Sequence, residues 1–305
     1  MMRAIVYDRY GGIDVLRHAD IAPPAPARGQ VLVRVRAAAL NPKDALFRKG
    51  RFRWVSGARF PKQTGVDFAG EVADTGERVF GALQELRYRR GTLAELVAVR
   101  QDEMAPMPAD VSFEEAAGLP LAALTALQAL RDVAATCPGD TVCINGGSGG
   151  VGTLAIQIAR ALGARVTSVS SSANTSLCRE LGAEEALAYD VDQPWARPHA
   201  YRVVFDAYGN LSYGKVRTAL QKGGVYVSTV PRMSLFRDLL RGRRARIVVV
   251  RSRRADLAEV ARLVDAGKLQ PVIDRIVELD DVGEAFRRLE SRRTRGKIVI
   301  RIPAG

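Results

Sequence analysis

The chain has 305 residues, of which 47% are hydrophobic, so it is long enough for two domains that each bury a core. No apolar run reaches the ~18 residues of a membrane span, and the N-terminus lacks the apolar region of a secretory signal. The three cysteines form no CxxC pair, and the two histidines lie far apart in sequence. We therefore expect a cytoplasmic protein without disulfides and without a zinc site.

The formal net charge of +13 leaves two interpretations open. Arginine-rich surfaces can bind nucleic acids or anionic membranes, and the densest basic stretch lies at residues 237–254. That stretch flanks the apolar segment Ile247–Val250, and no nucleic-acid-binding motif accompanies it. We favour the alternative that the arginines are spread over solvated faces. Nucleic-acid binding is therefore not expected, and peripheral membrane contact stays open.

The first part of the chain, to about residue 113, has the pattern of a β-rich domain. Strands are predicted at Ala4–Tyr7, Gln30–Ala37, Val66–Ala73, Arg78–Phe80 and Thr92–Val99. A helix is predicted to begin after Asn41, with Asn41 as its N-cap and Pro42 at its first position. An apolar helical segment then runs from Phe113 to about Leu130.

From Thr141 onwards, predicted strands and helices alternate. The strands are at 141–145, 165–169, 185–189, 202–206 and 225–229, and the helices between them are at 151–162, 175–181 and 212–221. Such alternation predicts a doubly wound parallel sheet with helices on both faces. A further strand, helices at 255–266 and 280–289, and a last strand at 297–302 complete the chain.

A glycine-rich turn joins the strand at 141–145 to the helix at 151–162. Gly147, Gly149 and Gly152 have the GxGxxG spacing of a dinucleotide-binding turn. One glycine permits the tight turn, the next lets a pyrophosphate approach the backbone, and the third lets helix and strand pack closely. The helix N-terminus offers free N–H groups to that phosphate. The predicted cofactor contacts of this turn are Ser148, Gly149, Gly150 and Val151.

Cofactor choice is predicted from the loop after the second strand of the parallel sheet. The loop reads Ser170-Ser171-Ser172-Ala173-Asn174, and it contains no carboxylate that would repel a 2′-phosphate. The serine hydroxyls can donate hydrogen bonds to that phosphate, so Ser170 and Ser171 are predicted to bind NADP in preference to NAD. The alternative is a polar loop with no role in binding.

Short motifs follow one another along nearly the whole chain in a fixed order. They are YGG at 10–12, ALNPKD at 39–44, TGVDFAGEV at 64–72, GTLAE at 91–95, the glycine turn, GKLQP at 267–271 and TRGKIV at 294–299. With these motifs the chain resembles the medium-chain dehydrogenase/reductase superfamily, in its zinc-independent branch of quinone oxidoreductases and enone reductases. The resemblance implies a GroES-like catalytic domain, residues 1–113 and 245–305, with a Rossmann domain, residues 114–244, inserted in it. It also implies an active cleft at their junction.

The resemblance also implies functional residues. Zinc-dependent members carry a cysteine where Asn41–Asp44 stands and a Gly-His-Glu where Gly65–Asp67 stands, and both ligand positions are lost here. Asn41 is the leading catalytic candidate, with Lys43 and Asp44 as proton-relay or positioning groups. The alternative for these three is a capping turn that only starts a helix, and Asp67 is expected to be structural.

Similar proteins suggest further cofactor contacts, at Thr125, Tyr189, Arg295, Gly296 and Lys297. Tyr189 could equally be an ordinary strand residue, and Thr125 a hydroxyl on a helix surface. These alternatives are not resolved by the sequence.

Without zinc, conjugate reduction is the less demanding chemistry. Hydride goes to the β-carbon of an enone or quinone, and charge develops on a distant oxygen that hydrogen-bond donors can hold. The sequence therefore predicts an NADPH-dependent quinone or enone reductase with a small-molecule substrate. The alternatives are a trans-acting enoyl-thioester reductase and, as a non-enzyme, a cofactor-bound protein that binds RNA or a membrane surface. A homodimer paired through Ile247–Val250 is also expected.

Overall fold

In a computed structural model of the protein, residues 1–303 are described, except for the side chains of Ser234 and Phe236. The strands are β1 (Met2–Tyr7), β2 (Leu16–Ile21), β3 (Gln30–Ala39), β4 (Lys62–Gln63), β5 (Asp67–Val72), β6 (Arg78–Ala82), β7 (Leu96–Arg100), β8 (Met104–Pro106), β9 (Thr141–Asn145), β10 (Arg165–Ser170), β11 (Glu185–Ala188), β12 (Tyr201–Asp206), β13 (Leu220–Ser228), β14 (Ala245–Ile247), β15 (Ile273–Glu278) and β16 (Lys297–Arg301). The helices are α1 (Pro42–Arg48), α2 (Arg53–Ser56), α3 (Phe113–Ala117), α4 (Pro120–Leu127), α5 (Gly150–Ala161), α6 (Thr175–Glu180), α7 (Tyr213–Val216), α8 (Met233–Leu240), α9 (Arg254–Asp265) and α10 (Val282–Glu290). None of the helices within residues 1–303 is both long and apolar enough to cross a membrane.

The chain divides into two compact units, and the second is inserted within the first. The first unit comprises Met1–Leu121, Arg251–Ala266 and the segment from Pro271 onwards, and the second comprises Ala122–Val250 and Gly267–Gln270. These changes of unit come later than the predicted ones, at 113/114 and 244/245. At the second change the reason is that β14 pairs with β13 in the parallel sheet, which places Ala245–Ile247 in the second unit. Residues 304 and 305 of the predicted catalytic domain lie outside the described residues.

A mixed sheet organises the first unit. Its strands follow the order β15-β16-β3-β5-β6-β8, with β7 also paired to β3, and β2-β1-β4 form a smaller sheet. Inward side chains such as Val33, Phe68 and Ile300 are fully buried in its core. Because Ala39 pairs with both Asp67 and Val299, the end of β3 and the beginnings of β5 and β16 lie side by side. This end of the sheet positions the catalytic candidates.

A six-stranded parallel sheet organises the second unit. Its order is β11-β10-β9-β12-β13-β14, and every neighbouring pair is parallel. In chain order this is 3-2-1-4-5-6, with the topological switch point between β9 and β12, where doubly wound sheets bind dinucleotides at their carboxyl ends. The predicted doubly wound parallel sheet is confirmed.

Several predicted elements have different bounds in the structure, and the apolar helical segment from Phe113 to Leu130 is divided between α3 and α4. The helix predicted at 212–221 is reduced to α7, because Leu220 already pairs with Tyr201 as the first residue of β13. The strand predicted at Thr92–Val99 begins only at Leu96, since the backbone N–H groups of Thr92 and Leu93 bond Gly65 and Thr64 instead. The strand predicted at Ile247–Val250 is found at Ala245–Ile247.

Candidate functional site

The glycine turn has the geometry of a phosphate-binding turn. Gly146 has φ +85°, and a Cβ added to Gly147 would lie 1.9 Å from Ser168 Oγ. A Cβ on Gly152 would lie 2.1 Å from the carbonyl oxygen of Gly146, so the start of α5 packs against the turn itself. At Gly149, by contrast, the nearest protein atom would be 3.5 Å from a Cβ. Protein packing therefore explains the glycines at 147 and 152, whereas the open face of Gly149 suits a group that approaches from outside the protein.

The open face lies at the N-terminus of α5. Gly149 is the N-cap of this twelve-residue helix, and Ser148, Gly149, Gly150 and Val151 are all half-exposed, whereas Gly152–Ala159 are buried. The first N–H groups of a helix have no partner within the helix and favour an anion. The four cofactor candidates of this turn therefore lie together where a pyrophosphate fits.

The loop after β10 joins the serine candidates to Tyr189. Ser170 is buried and its Oγ donates to the carbonyl of Ser171, while the backbone N–H of Tyr189 donates to the carbonyl of Ser170 at 2.9 Å. The Tyr189 ring is 65% exposed, so it is available to a ligand rather than packed into the sheet. Asn174 links the loop to the glycine turn, because its Nδ2 donates to Ser148 Oγ at 3.2 Å.

A buried carboxylate fixes the switch point of the parallel sheet. Asp206, at the end of β12, accepts from Asn145 Nδ2 at 2.7 Å, from the N–H groups of Gly209 and Leu211 at 2.8 Å, and from the Tyr226 hydroxyl at 3.0 Å. Burial raises the pKa of Tyr226, so this hydroxyl stays a donor. Asp206 was not among the predicted site residues, although its position as the last residue of the predicted strand at 202–206 was a usable signal.

In the first unit, Asn41 belongs to a buried polar cluster that also contains Asp67 and Lys297. Lys297 Nζ donates to Asn41 Oδ1 at 2.7 Å and to Asp67 Oδ2 at 2.9 Å, and Asn41 Nδ2 donates to the same Asp67 oxygen at 2.9 Å. The other Asp67 oxygen accepts from the N–H of Leu121 at 2.8 Å. All three side chains of the cluster are at most 5% exposed. The ammonium thus lies between Asn41, from the segment where the resemblance places a cysteine, and Asp67, which stands at the glutamate of the Gly-His-Glu motif.

Asp44 caps α1 from inside the protein. Its Oδ2 accepts from the N–H of Asn41 at 2.8 Å and its Oδ1 accepts from the Tyr88 hydroxyl at 2.9 Å. Both side chains are fully buried, and burial raises the pKa of Asp44 to about 6, an effect that the charge of Lys43 partly offsets. Burial also raises the pKa of Tyr88, which remains the protonated donor. Asp44 therefore has the contacts of a capping residue, which was the alternative interpretation.

The remaining predicted residues are distributed over both units. Lys43 is half-buried on α1, and Thr125 is buried on α4. Gly296 has φ +80° and a Cβ there would lie 2.0 Å from the carbonyl oxygen of Val272, so this glycine has a packing reason. Arg295 is exposed, and its N–H donates to Asp274. The ammonium of Lys297 bonds Asn41 and Asp67, and its contact with the cofactor stays a prediction.

Among the residues the structure describes, no group of three or more histidine, cysteine, aspartate or glutamate side chains could hold a metal ion. The expectation of zinc-independence rests on this donor set and on the replaced ligand positions, and it stays a prediction. Tyr88, Asp190 and the pairing of Lys297 with Asp67 were missed from sequence, because each joins segments that no local pattern connects.

The raised pKa of Asp44 predicts a specific pH dependence of stability. Because the folded-state pKa of about 6 lies above the unfolded value, the folded protein binds the proton more tightly, and stability is lost as the pH rises from about 4 to about 6. Asp44→Asn removes this loss. Its unfolding free energy relative to wild type should increase by about 2–3 kcal/mol between pH 4 and pH 7, measured by urea unfolding.

Asp20→Asn, an exposed aspartate on β2, is the matched control and should show no such rise. A constant difference between Asp44→Asn and wild type across this pH range would contradict the prediction.

The buried cluster of Asn41, Asp67 and Lys297 predicts that removing Lys297 alone lowers stability, and that removing the charge of Asp67 as well restores most of it. Lys297→Met leaves the Asp67 carboxylate buried without its cation and should cost about 3–5 kcal/mol in guanidinium unfolding. Adding Asp67→Asn removes the uncompensated charge and retains an acceptor for the N–H of Leu121, so most of that loss should return. If the double variant is no more stable than Lys297→Met, the uncompensated charge of Asp67 is not the cause of the lost stability.

Comparisons with known proteins match both units. The family model described as an alcohol dehydrogenase GroES-like domain matches residues 27–109, and the one described as a zinc-binding dehydrogenase matches residues 181–300. The NADPH-dependent alkenal/one oxidoreductase of Arabidopsis thaliana chloroplasts is 33% identical, over 98% of this chain and 79% of its own length.

Solved structures agree. The quinone oxidoreductase from Coxiella burnetii has a TM-score of 0.91 and 32% identity, with 99% of each chain covered. The quinone oxidoreductase from Escherichia coli, complexed with NADPH, has a TM-score of 0.85 and 25% identity, with 98% of this chain and all of its own covered. These matches confirm the predicted combination of a GroES-like domain and a Rossmann domain. The chain therefore belongs to the medium-chain dehydrogenase/reductase superfamily, in the branch of quinone and enone oxidoreductases.

Proposed function

We propose that the protein is an NADPH-dependent oxidoreductase that transfers hydride to a quinone or an α,β-unsaturated carbonyl without zinc. The observation that carries the proposal is the cluster of Asn41, Asp67 and Lys297, in which an ammonium bonds the side chain of Asn41, from the segment where zinc-dependent members carry a cysteine. In the second motif, Val66 stands at the histidine of their Gly-His-Glu. Relatives support the substrate class and the cofactor, since one is an NADPH-dependent alkenal/one oxidoreductase and another is a quinone oxidoreductase complexed with NADPH.

The second unit fits the dinucleotide. The open face of Gly149 and the N-terminus of α5 suit the pyrophosphate. Ser170 and Ser171, at the end of β10, and the exposed Tyr189 ring, directly after β11, lie at the same carboxyl edge of the sheet. Bound NADPH would supply the hydride for the reduction. The residues of the chain have to bind the dinucleotide and stabilise the charge that the transfer creates on the substrate.

Lys297 is the donor that we assign to that charge. An ammonium has three N–H donors, and the structure gives two of them acceptors, Asn41 Oδ1 and Asp67 Oδ2. We propose that the third donates to a substrate oxygen on which negative charge develops. The Asn41 amide, our leading candidate from sequence, is engaged at both ends and serves instead to position Lys297. Asp44 caps α1, and its role in a proton relay stays a prediction.

Turnover tests the proposed function directly. The wild-type protein should oxidise NADPH with 9,10-phenanthrenequinone, 1,4-benzoquinone or short enones, and dialysis against EDTA should leave the rate unchanged. In the same assay, Lys297→Met/Asp67→Asn should bind NADPH normally and lose kcat by about 100-fold, the size of losing one oxyanion donor.

Tight NADPH binding without turnover of any of these acceptors would count against the proposal. Crotonyl-CoA serves as the competing substrate, and a kcat/KM for it that exceeds the quinones by orders of magnitude would favour the enoyl-thioester alternative. If the double variant keeps its kcat, Lys297 is not the donor.

Gly149→Ala tests the pyrophosphate site independently of catalysis. The added methyl meets no protein atom closer than 3.5 Å and the φ of Gly149 is −81°, so the melting temperature should stay the same or rise slightly. NADPH affinity should fall by about tenfold or more in isothermal titration, because the methyl occupies the approach of the phosphate. Gly214→Ala, on α7 and also open, is the matched control, and an equal effect of both variants would contradict the assignment.

We also propose that the protein is a cytoplasmic homodimer. β14 is one of the two edge strands of the six-stranded sheet, and Val249, just beyond it, is 69% exposed. An exposed strand edge offers unpaired backbone groups to a second copy of the chain.

A further inference from the structure

A carboxylate stands at the loop that was predicted to bind the 2′-phosphate. Asp190 Oδ1 accepts from the N–H of Ser172 at 2.9 Å, and Asp190 Oδ2 accepts from Ser172 Oγ at 2.7 Å. Asp190 follows β11 rather than β10, and the bond from Tyr189 N to the Ser170 carbonyl holds the two loops together. The loop after β10 thus contains no acid in its own sequence but receives one from the neighbouring strand.

Asp190 is ionised at neutral pH. The bonds from Ser172, first from its hydroxyl and then from its N–H, lower the pKa of this exposed carboxyl. No basic residue occurs in segments 166–178 and 187–196, which contain the two loops, and the second segment contains another acid, Asp192. The local charge of the two loops is therefore negative.

This arrangement acts differently on the two nicotinamide cofactors. A 2′-phosphate carries between one and two negative charges near neutral pH, and an adjacent carboxylate repels it. Ser172 Oγ already donates to Asp190, so this hydroxyl is not available as a donor to the phosphate. A ribose 2′-hydroxyl, in contrast, can donate to a carboxylate, as in NAD-binding sites.

We propose that Asp190 is a specificity-determining residue that weakens the binding of NADPH relative to NADH, so that the protein discriminates only modestly between them. The inference rests on the proposed function, since it concerns the same cofactor site. The competing explanation is that Asp190 only clamps Ser172 in place. The two explanations differ in whether the charge of Asp190 matters or only its hydrogen bonds.

Asp190→Asn separates charge from hydrogen bonding. The amide oxygen can accept from the N–H of Ser172, and the amide nitrogen can donate to its Oγ, so the clamp is retained while the charge is lost. We expect the ratio of the dissociation constants for NADH and NADPH to rise about tenfold, equivalent to about 1.4 kcal/mol. The gain should come from tighter NADPH binding, and it should shrink at high salt because the repulsion is screened.

The measurement is isothermal titration of the full-length protein with NADPH and NADH. It is repeated with 2′,5′-ADP and 5′-AMP, which differ in the 2′-phosphate and require no turnover. Glu180→Gln, an exposed acid at the far end of α6, is the matched control and should leave both ratios unchanged. If Asp190→Asn fails to fold, Asp190→Ser removes the same charge with a smaller side chain and should give the same change in the ratio.

The outcomes separate this inference from the proposed function. A wild-type protein that binds neither dinucleotide would overturn both. Turnover with NADPH, together with an Asp190→Asn ratio within twofold of wild type, would overturn only the role of Asp190 and leave it as a clamp. An increase in affinity that is confined to NADPH and 2′,5′-ADP, the two ligands that carry the 2′-phosphate, supports the inference.

Discussion

The pairing of Lys297 with Asp67 is the interaction on which the first unit most depends. It joins the first residue of β16 to the first residue of β5, and the Asn41 amide connects both to the end of β3. Charges in a low-dielectric interior interact strongly, and either one left alone would be expensive to bury. The cluster therefore connects β3, β5 and β16 at the end of the sheet where α1 begins. Asn41 in turn places its N–H where Asp44 accepts it, so the cap of α1 depends on the same cluster.

Two carboxylates of this region have different partners and so different roles. Asp67 is bonded by an ammonium, an amide and a backbone N–H, which suit a charged acceptor. Asp44 is bonded by a neutral tyrosine and a backbone N–H in a fully buried position, and its pKa is raised to about 6. The difference accounts for a lysine beside Asp67, because a cation compensates the charge of this carboxylate and a neutral donor would not. It also explains why Asp44, although in the same motif as Asn41, is better suited to hold the helix than to reach a substrate.

Most of the architecture could be predicted because it is encoded locally. The glycine spacing, the apolar strand before it and the amphipathic helix after it specify the βα turn within some twenty residues, and the alternation that follows specifies the parallel sheet. The buried cluster of Asn41, Asp67 and Lys297 could not be predicted in this way, because Asp67 and Lys297 are 230 residues apart in sequence. The prediction of the helix at 212–221 failed because pairing with β12 overrides local propensity once Leu220 joins the sheet.

The two halves of the proposed cofactor site differ in how freely their residues can be replaced. Gly147 and Gly152 are fixed by contacts within the turn itself, and the pyrophosphate would be bound by backbone N–H groups, so this half is insensitive to side-chain identity. In the half beyond β10 and β11, Ser172 and Asp190 are exposed on loops, and we expect that they can be replaced without disturbing the sheet. In the cofactor site that we propose, a rigid turn beside loops whose charge is set by single residues separates the strength of dinucleotide binding from the choice between NADPH and NADH. Selection can therefore alter the preference for the 2′-phosphate without rebuilding the turn on which binding depends.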